Sequence, residues 1–254
     1  MDEASEAGDD MTMILSVDAQ RLWNAAWTLN ASHPIPNPAP HLDPHRPNVI
    51  AAPTPAPTGA RMTKRPALPP LLFFTDPART SRPWETAGRL PSSAAVVYRH
   101  FGATDAGDVA RRLRDVTAEA GVAMLIGQDA ELAERVSADG VHLAERSLSE
   151  ATVLARHYPD WLLTGAAHSL ETVLSASAQL TDSLSALVVS PVFTAGGASA
   201  ARPALGIDPF TDMVRASALP VYGLGGITAD NADSLLKSGA CGIAGVDSIQ
   251  RAFV

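Results

Sequence analysis

Two glycine-containing segments late in the chain have the composition of an anion site. The first is Pro220-Val-Tyr-Gly-Leu-Gly-Gly-Ile-Thr228, and the second is Gly239-Ala-Cys-Gly-Ile-Ala-Gly-Val-Asp-Ser-Ile249. Gly225 and Gly226 allow backbone amides to approach an anion closely, and a helix predicted to begin near Ala229 would direct its positive end to the same place. The pattern therefore predicts a phosphate site at this pair of glycines.

Two other interpretations of the first segment stay open. A dinucleotide-binding loop has three spaced glycines, but Thr228 stands at the third position and the segment lies near the end of its domain. In the other interpretation the glycines only permit a tight turn. The choice depends on the fold that carries the segment.

From Leu71 onward, short apolar runs alternate with amphipathic stretches, which is the pattern of βαβ units and a parallel sheet. The runs predict strands at Leu71–Thr75, Ala95–His100, Ala123–Ile126, Gly140–Leu143, Leu162–Ala167, Ala186–Pro191, Pro220–Gly223 and Gly242–Val246. The stretches between them predict helices at Ala106–Ala120, Ala130–Val136, Leu148–His157, Leu170–Gln179, Pro209–Ala216 and Asp230–Ser238.

This strand count predicts an α/β fold, a (β/α)8 barrel, over residues 70–254. The alternative, an open doubly wound sheet, usually has about five or six strands. Barrels carry their chemistry where strands end and βα loops begin, and they commonly bind phosphate after strands seven and eight. The barrel therefore favours the phosphate interpretation of Gly225 and Gly226.

Composition narrows the setting in which the chain works. Hydrophobic residues make up 46% of the sequence, which is enough for a sizeable core, and the single Cys241 fits a reducing compartment. The net charge of −8 argues against nucleic acid or an anionic membrane as a partner. The first ten residues are acidic, unlike a secretory signal, and no apolar run approaches the roughly 18 residues of a membrane span. We expect a cytoplasmic protein.

Residues 1–69 differ from the barrel in composition and sequence pattern. Twelve of the twenty prolines fall between Pro34 and Pro70. Proline has no backbone N–H donor, and it restricts the residue before it to extended backbone conformations, so this stretch cannot form a helix or an inner strand. This segment is predicted to be a disordered, proline-rich leader.

One helix is predicted inside the leader, over Asp18–Leu29, with Leu22, Trp23, Ala26 and Trp27 on one face. It has no surface of its own to bury against. It could be a docking helix on a tether, or part of a functionless extension whose natural start is Met62. We favour the extension, so a chain beginning at Met62 is expected to fold like the full chain.

Five motifs in order resemble one known family. They are Ala138-Asp-Gly-Val-His-Leu143, Gly165-Ala-Ala-His-Ser169, Ser190-Pro-Val-Phe193, Gly225-Gly-Ile-Thr228 and Gly239-Ala-Cys-Gly242. Their order and spacing resemble the thiamine phosphate synthase and TenI (thiazole tautomerase) family, from Leu71 to Gln250 and not in the leader. The resemblance implies a barrel acting on phosphorylated thiamine precursors. The synthase joins a pyrimidine pyrophosphate to a thiazole phosphate with magnesium, and the tautomerase aromatises a thiazole carboxylate phosphate without metal.

The synthase's pyrophosphate pattern is mostly missing. Its Gln-x-Arg-x-Lys motif after strand two matches only Arg99, which could still bind a substrate anion. The lysine expected after strand six is absent, although Arg202 could substitute for it, and Ala166 replaces the serine of strand five.

The magnesium positions also depart from the synthase. Gly127 and Gln128 stand where the family has Asn-Asp, and Ser147 stands where it has an aspartate, which leaves Asp129 as the only nearby carboxylate. Magnesium prefers carboxylate oxygens alongside substrate phosphates. We therefore expect no metal and no cofactor, and these departures argue against ordinary synthase activity.

His168, followed by Ser169 at the tip of strand five, resembles the catalytic histidine of the tautomerase. A histidine titrates near neutral pH and can move a proton to and from carbon. It could instead simply hydrogen-bond neighbouring loops, and no partner base is identifiable. His142 is expected to be a buried or inward-facing barrel residue, and His100 could reach the mouth beside Arg99.

The end of strand eight carries one residue that conflicts with a phosphate site. The predicted phosphate contacts are Gly225, Gly226, Val246 and Ser248, but Asp247 stands where the family usually offers a serine. A carboxylate repels a phosphate. Either Asp247 turns away and Ser248 serves, or the ligand is not a phosphate.

Three functions are weighed from these observations. The first is a tautomerase-like enzyme of thiamine biosynthesis, with His168 catalytic and Arg99, Ser169 and Arg202 binding a phosphorylated thiazole. The second is a non-catalytic or regulatory barrel that keeps the ligand pocket, and the third, weaker one is the synthase itself. A small phosphorylated ligand is the expected partner, and a homo-oligomer stays open.

Overall fold

The computed structural model describes residues 15–33, 67–197 and 201–254. Eight parallel strands follow one another around a closed barrel, and the first strand pairs with the last through Leu72 and Ala244. The strands are β1 (Leu71–Phe74), β2 (Ala95–Tyr98), β3 (Ala123–Gly127), β4 (Gly140–Leu143), β5 (Leu162–Ala167), β6 (Ala186–Val189), β7 (Val221–Leu224) and β8 (Gly242–Gly245). The predicted (β/α)8 barrel and all its strands are confirmed.

Side chains alternate between the inside and the outside of the barrel, because successive strand residues point to opposite faces. Leu72 and Phe74 of β1 join an inner cluster with Tyr222, while Leu71 and Phe73 join the layer beneath the helices. All are almost fully buried. The interior is therefore packed, and open space for a ligand lies at the strand ends.

The helices vary in length around the barrel. They are α1 (Val17–Ser32), α2 (Pro83–Ala87), α3 (Ala106–Glu119), α4 (Ala130–Arg135), α5 (Ala151–His157), α6 (Leu170–Gln179), α7 (Ile207–Ala216) and α8 (Asp247–Ala252). The predicted Leu148–His157 helix is divided between a 3-10 helix at Glu145–Glu150 and α5.

The predicted helix at Asp230–Ser238 is wrong. The chain forms only a 3-10 helix at Ala232–Leu235 there. The side chain of Asn231 accepts a hydrogen bond from the amide of Thr228 at 2.8 Å and donates to the carbonyl of Gly226 at 2.9 Å. These local bonds compete with helical ones, as asparagine side chains often do.

Helix α1 packs on the outside of the barrel, against β8, β1, α8 and the 3-10 helix that follows β7. Its buried residues include Ala19, Leu22, Ala25, Ala26 and Leu29. The helix α8 has six residues, so α1 covers the part of β8 that a longer helix would cover. The expectation that α1 has no surface to bury against is wrong, and so is disorder of the leader over Val17–Ser32.

Polar contacts hold both ends of α1 in place. Near its end, the Asn30 amide donates to the carbonyl of Cys241 at 3.0 Å and to that of Leu68 at 3.1 Å. At its start, the Ser16 hydroxyl donates to the carbonyl of Ala252 at 2.8 Å. Residues 1–14 and 34–66, including the proline-rich tract, lie outside the described residues, and their predicted disorder stays a prediction. Within the described residues, no helix has the length and apolar character to cross a membrane.

Candidate active site

Three adjoining cavities lie around the carboxyl ends of the strands. The anion pocket, of about 240 Å³, is lined by residues that include Arg79, Arg99, Gly225, Gly226, Val246, Asp247 and Ser248. The barrel mouth, of about 490 Å³, is lined by residues that include Phe74, Arg99, Phe101, Gln128, His142, His168 and Arg202. The side groove, of about 870 Å³ between the 3-10 helix Glu145–Glu150 and α6, is lined by residues that include Glu145, Arg146, His168, Ser169, Thr172 and Arg202.

Both glycines of the predicted phosphate loop adopt left-handed backbone conformations, with φ of 100° at Gly225 and 67° at Gly226. A Cβ at Gly226 would stand 2.5 Å from the carbonyl oxygen of Thr194. The turn therefore requires glycine for its own geometry. The helix predicted to begin near Ala229 is absent, so its positive end does not contribute, and phosphate binding at this loop stays a prediction.

Asp247 is bound by Arg79, a residue that the sequence analysis missed. Arg79 Nε donates to Asp247 Oδ1 at 2.9 Å, and Nη2 donates to Oδ2, which makes the pair bidentate. Arg79 Nη1 also lies 3.9 Å from a carboxylate oxygen of Asp76. Asp247 thus lines the anion pocket together with Ser248, with its charge balanced by a guanidinium group. A lone arginine in the loop after β1 gave no sequence signal except its position at a strand tip.

Arg99 lies between the anion pocket and the barrel mouth. Its Nε donates to the carbonyl of Thr75 at 2.8 Å, and its guanidinium carbon stands 5.2 Å from the Phe74 ring centre and 5.4 Å from that of Phe101. Burial lowers the pKa of Arg99 to about 10, an effect that Asp76 opposes and nearby Arg79 reinforces. Arg99 therefore stays cationic at neutral pH and is fixed in orientation.

His168 lies on the wall shared by the barrel mouth and the side groove. Its Nδ1 is 2.8 Å from the carbonyl oxygen of Ser190, which can only accept, so Nδ1 carries a proton. Its Nε2 is 4.0 Å from Oε2 of Glu145. The other carboxylate oxygen, Oε1, accepts a hydrogen bond from the Thr172 hydroxyl at 2.7 Å. Among the described residues, the buried Oε2 makes no hydrogen bond.

This arrangement can perform acid–base chemistry. In the neutral ring the Nε2 lone pair is free to take a proton, and the resulting imidazolium would face the Glu145 carboxylate. Glu145 is the carboxylate nearest to His168 Nε2 in this wall, and the sequence did not identify it. Its position two residues after β4 is the only signal that could have found it.

The other two predicted binding residues lie beside His168. Ser169 is the N-cap of α6, and its hydroxyl accepts from the amide of Thr172 at 3.1 Å, so this oxygen already has a structural role. Arg202 is exposed and lines both the barrel mouth and the side groove. The structure therefore brings Arg202 and Ser169 to the same wall as the histidine.

The two other histidines whose positions were predicted from the sequence, His142 and His100, take the expected positions. His142 is buried, with Nδ1 3.0 Å from the Thr164 hydroxyl, and the predicted buried location is confirmed. Burial lowers the pKa of His142 to about 3, with smaller contributions from Arg99 and His168. His100 lines the mouth, with Nε2 3.4 Å from Asp129 Oδ2.

The positions corresponding to the synthase's magnesium ligands do not fit that ion. The side-chain oxygen of Gln128 accepts from Arg146 at 2.7 Å, and Asp129 Oδ1 accepts from the Leu132 amide at 2.8 Å to begin α4. Over residues 15–33, 67–197 and 201–254, no three acidic, histidine or cysteine side chains converge as metal ligands would. A hard cation prefers several free carboxylate oxygens, and here a cationic Arg146 occupies the neighbourhood.

The fold and this site define a (β/α)8 barrel whose candidate chemistry lies at the carboxyl ends of the strands, around two arginines and a histidine. The family model described as thiamine monophosphate synthase (TMP-TENI) matches residues 89–249. The chain belongs to this family, and the resemblance drawn from its motifs is confirmed.

Two related proteins carry the synthase name. The thiamine-phosphate synthase of Bacillus velezensis is 33% identical over 144 residues, a match that covers 56% of this chain and 62% of that protein. The thiamine-phosphate synthase of Chloroflexus aurantiacus is 30% identical over 173 residues, or 67% of this chain and 78% of that protein. The chain thus spans just under two thirds of the first relative's length and more of the second.

Solved structures share the barrel. The thiamine phosphate pyrophosphorylase of Pyrococcus furiosus superposes with a TM-score of 0.58 at 24% identity, over 72% of this chain and 91% of that chain. The YdjI aldolase of Escherichia coli superposes with a TM-score of 0.53 at 11% identity, over 71% of this chain and 77% of that chain. At these identities the likeness concerns the fold alone.

Proposed function

We propose that this chain is a metal-independent isomerase of thiamine biosynthesis, which transfers a proton within a phosphorylated thiazole in the manner of a tautomerase. The single observation that carries the proposal is the placement of His168. Its Nδ1 proton is committed to Ser190, and its Nε2 lies near a buried carboxylate oxygen of Glu145. That pairing is suited to an imidazole that alternates between base and acid.

The proposed reaction moves one proton and leaves the composition of the substrate unchanged. Nε2 of neutral His168 takes a proton from one carbon of the non-aromatic ring system, and the electron pair left behind extends the conjugation of the ring. The imidazolium, facing Glu145, then returns a proton to a second carbon. Glu145 makes the charged ring less costly while the proton is held.

Binding is assigned to cationic groups on either side of the histidine. Arg99 would receive the substrate's carboxylate or phosphate, because its guanidinium is fixed between two rings and stays charged. Arg202 and Ser169 would contact the ligand from the side groove. The phosphate would occupy the anion pocket at Gly225, Gly226, Val246 and Ser248, and the protein would act in the cytoplasm.

The test is conversion of a thiazole carboxylate phosphate tautomer to its aromatic form, followed by its absorbance and by proton NMR without added metal. His168→Ala should lower turnover at least about a hundredfold and leave binding within a few-fold. His157→Ala, on the exposed face of α5, is the matched control and should keep full activity. Absence of turnover by the wild-type protein, with tight binding retained, would favour the non-catalytic barrel instead.

The second candidate is the synthase reaction, which the names of the relatives favour. It is the weaker candidate here because Gln128, Asp129 and Arg146 do not provide a magnesium site. Incubation with a pyrimidine pyrophosphate, a thiazole phosphate and magnesium should yield no thiamine phosphate. Its formation at a rate that depends on magnesium would replace the isomerase with this second function.

A further inference from the structure

The Arg79–Asp247 pair occupies the anion pocket in a way that the phosphate assignment alone does not explain. A guanidinium group binds carboxylate and phosphate through the same fork of two parallel N–H donors. In Arg79 that fork, Nε and Nη2, is taken by the two oxygens of Asp247. An anion entering the pocket therefore meets a receptor that is already occupied.

Two loops and one helix constrain the position of Arg79. Its Nη1 donates to the carbonyl of Gly196 at 3.5 Å, in the loop after β6, and lies near Asp76 of its own loop. Gly197 has a φ of 65°, and a Cβ there would clash with the guanidinium. The group is therefore held at the wall of the pocket by the loops after β1 and β6 as well as by α8.

Asp247 is the more exposed partner of the pair. Its side chain keeps 38% of its exposure, against 24% for Arg79, and the ion pair is the contact that holds it in the pocket. Partly exposed ion pairs contribute little stability because water solvates the separated charges well. Asp247 can thus leave Arg79 for solvent at small cost, whereas Arg79 keeps its place.

The surrounding charges favour an incoming anion once Asp247 has left. Three guanidinium groups line the pocket, those of Arg79, Arg99 and Arg251, against the carboxylates of Asp76 and Asp247. Arg79 is also close enough to Arg99 to lower that group's pKa. When Asp247 has left, less negative charge offsets the repulsion between the Arg79 and Arg99 guanidinium groups. A bound phosphate would offset that repulsion in its place.

We propose that Arg79 is the receptor for the ligand's phosphate and that Asp247 is an internal counter-ion, which the phosphate displaces from the guanidinium fork. This inference rests on the phosphate assignment in the proposed function and adds to it a binding residue and an exchange step. The pocket then selects ligands that gain enough from the rest of the site to displace Asp247. Free phosphate alone binds weakly, and a phosphate carried on a substrate binds well.

The experiment measures binding of inorganic phosphate to the full chain by isothermal titration at pH 8, where the ion is mainly a dianion. Asp247→Asn keeps the side-chain shape and removes the competing charge, so affinity should rise about tenfold or more, as expected for charge-assisted contacts. Asp247→Ala should give a similar gain. Asp108→Asn, which removes one exposed carboxylate from α3, is the control for net charge and should leave affinity unchanged.

The double variant Arg79→Gln with Asp247→Asn identifies the receptor. It should lose the gain and bind phosphate no better than the wild-type protein. Unchanged or weaker binding by Asp247→Asn and Asp247→Ala, in chains that melt normally, would overturn the proposal. So would a double variant that keeps the gain. This experiment measures binding and not turnover. If the Asp247 variants gain affinity but the isomerase assay fails, the exchange of Asp247 for phosphate still stands. If the variants show no gain but the isomerase assay succeeds, the isomerase function still stands.

Discussion

His168 and Glu145 face each other across the wall of the barrel mouth, with 4.0 Å between Nε2 and Oε2. His168 follows β5 and Glu145 follows β4, and these two strands pair side by side in the sheet. The other carboxylate oxygen is held by Thr172, so Glu145 cannot swing away freely. The pair is therefore built from three strand-end loops, since Ser190 after β6 fixes the opposite side of the imidazole.

Glu145→Gln tests the contribution of the carboxylate charge. The amide can still accept from Thr172, but it cannot balance an imidazolium, so kcat should fall about tenfold, less than the roughly hundredfold or more expected of the proton carrier itself. The KM should stay within about twofold if Glu145 does not touch the substrate. Steady-state kinetics of the isomerase reaction measure both. Glu171→Gln, in the same side groove, is the control, and an equal loss there would contradict the assignment.

Arg99 should contribute to binding more than to the chemical step. Arg99→Lys keeps a positive charge but loses the planar fork and its placement between Phe74 and Phe101. The dissociation constant for a phosphorylated thiazole should increase about tenfold or more, as expected for loss of a charge-assisted hydrogen bond. Titration calorimetry gives this value directly. A variant that binds normally and loses only kcat would place Arg99 in the proton transfer instead.

Removal of residues 1–61 should destabilise the barrel, contrary to the expectation from the sequence. Without α1, the outer face of β8 and the Asn30 contacts are lost. The single change Leu22→Ala should cost about 2–5 kcal/mol of unfolding free energy, as for other large-to-small core substitutions. Urea unfolding followed by circular dichroism measures the loss. Gln20→Ala, on the exposed face of α1, should change little, and a shortened chain that melts like the full one would contradict this role.

His142 should make the protein sensitive to acid. Burial lowers its pKa from 6.5 to about 3, so between those values the unfolded chain binds a proton that the folded chain does not. The contribution of the neutral His142 ring to the unfolding free energy is therefore fully present above about pH 6.5. It is lost as the pH falls toward 3, at up to about 1.4 kcal/mol per pH unit. His142→Gln should give a shallower decline between pH 7 and pH 4 in urea unfolding. The exposed His157→Gln should follow the wild-type curve, and identical slopes for all three would contradict this account.

The strands could be predicted from the sequence because each is a short apolar run that depends on its own composition. The helix predicted at Asp230–Ser238 failed because Asn231 bonds the nearby backbone, which an apolar periodicity does not reveal. The docking of α1 could not be predicted either. Its apolar face was visible, but its partner β8 lies more than 200 residues away, as the Asn30–Cys241 bond shows.

The candidate site divides in the same way. His168, Arg99 and the glycine loop could be proposed from the sequence because their residue types and strand-end positions suggest chemistry by themselves, and the structure places them at the cavities. Glu145 and Arg79 were missed because each is an ordinary surface residue by type, and its significance lies in a partner on another loop. The Arg79–Asp247 bond joins residues 168 positions apart. A position at a strand end was the one clue available for both.

The location of α1 bears on the order in which the protein folds during its synthesis. It is translated before β1, yet the surface it covers includes β8 and α8, the last elements of the barrel. Contacts between such distant segments form slowly because a long loop must close first. During synthesis, about 200 residues must be added after α1 before its partner β8 is available to cover the apolar face that includes Leu22 and Leu29. The apolar face of α1 therefore reaches its full set of partners only after β8 and α8 have been synthesised.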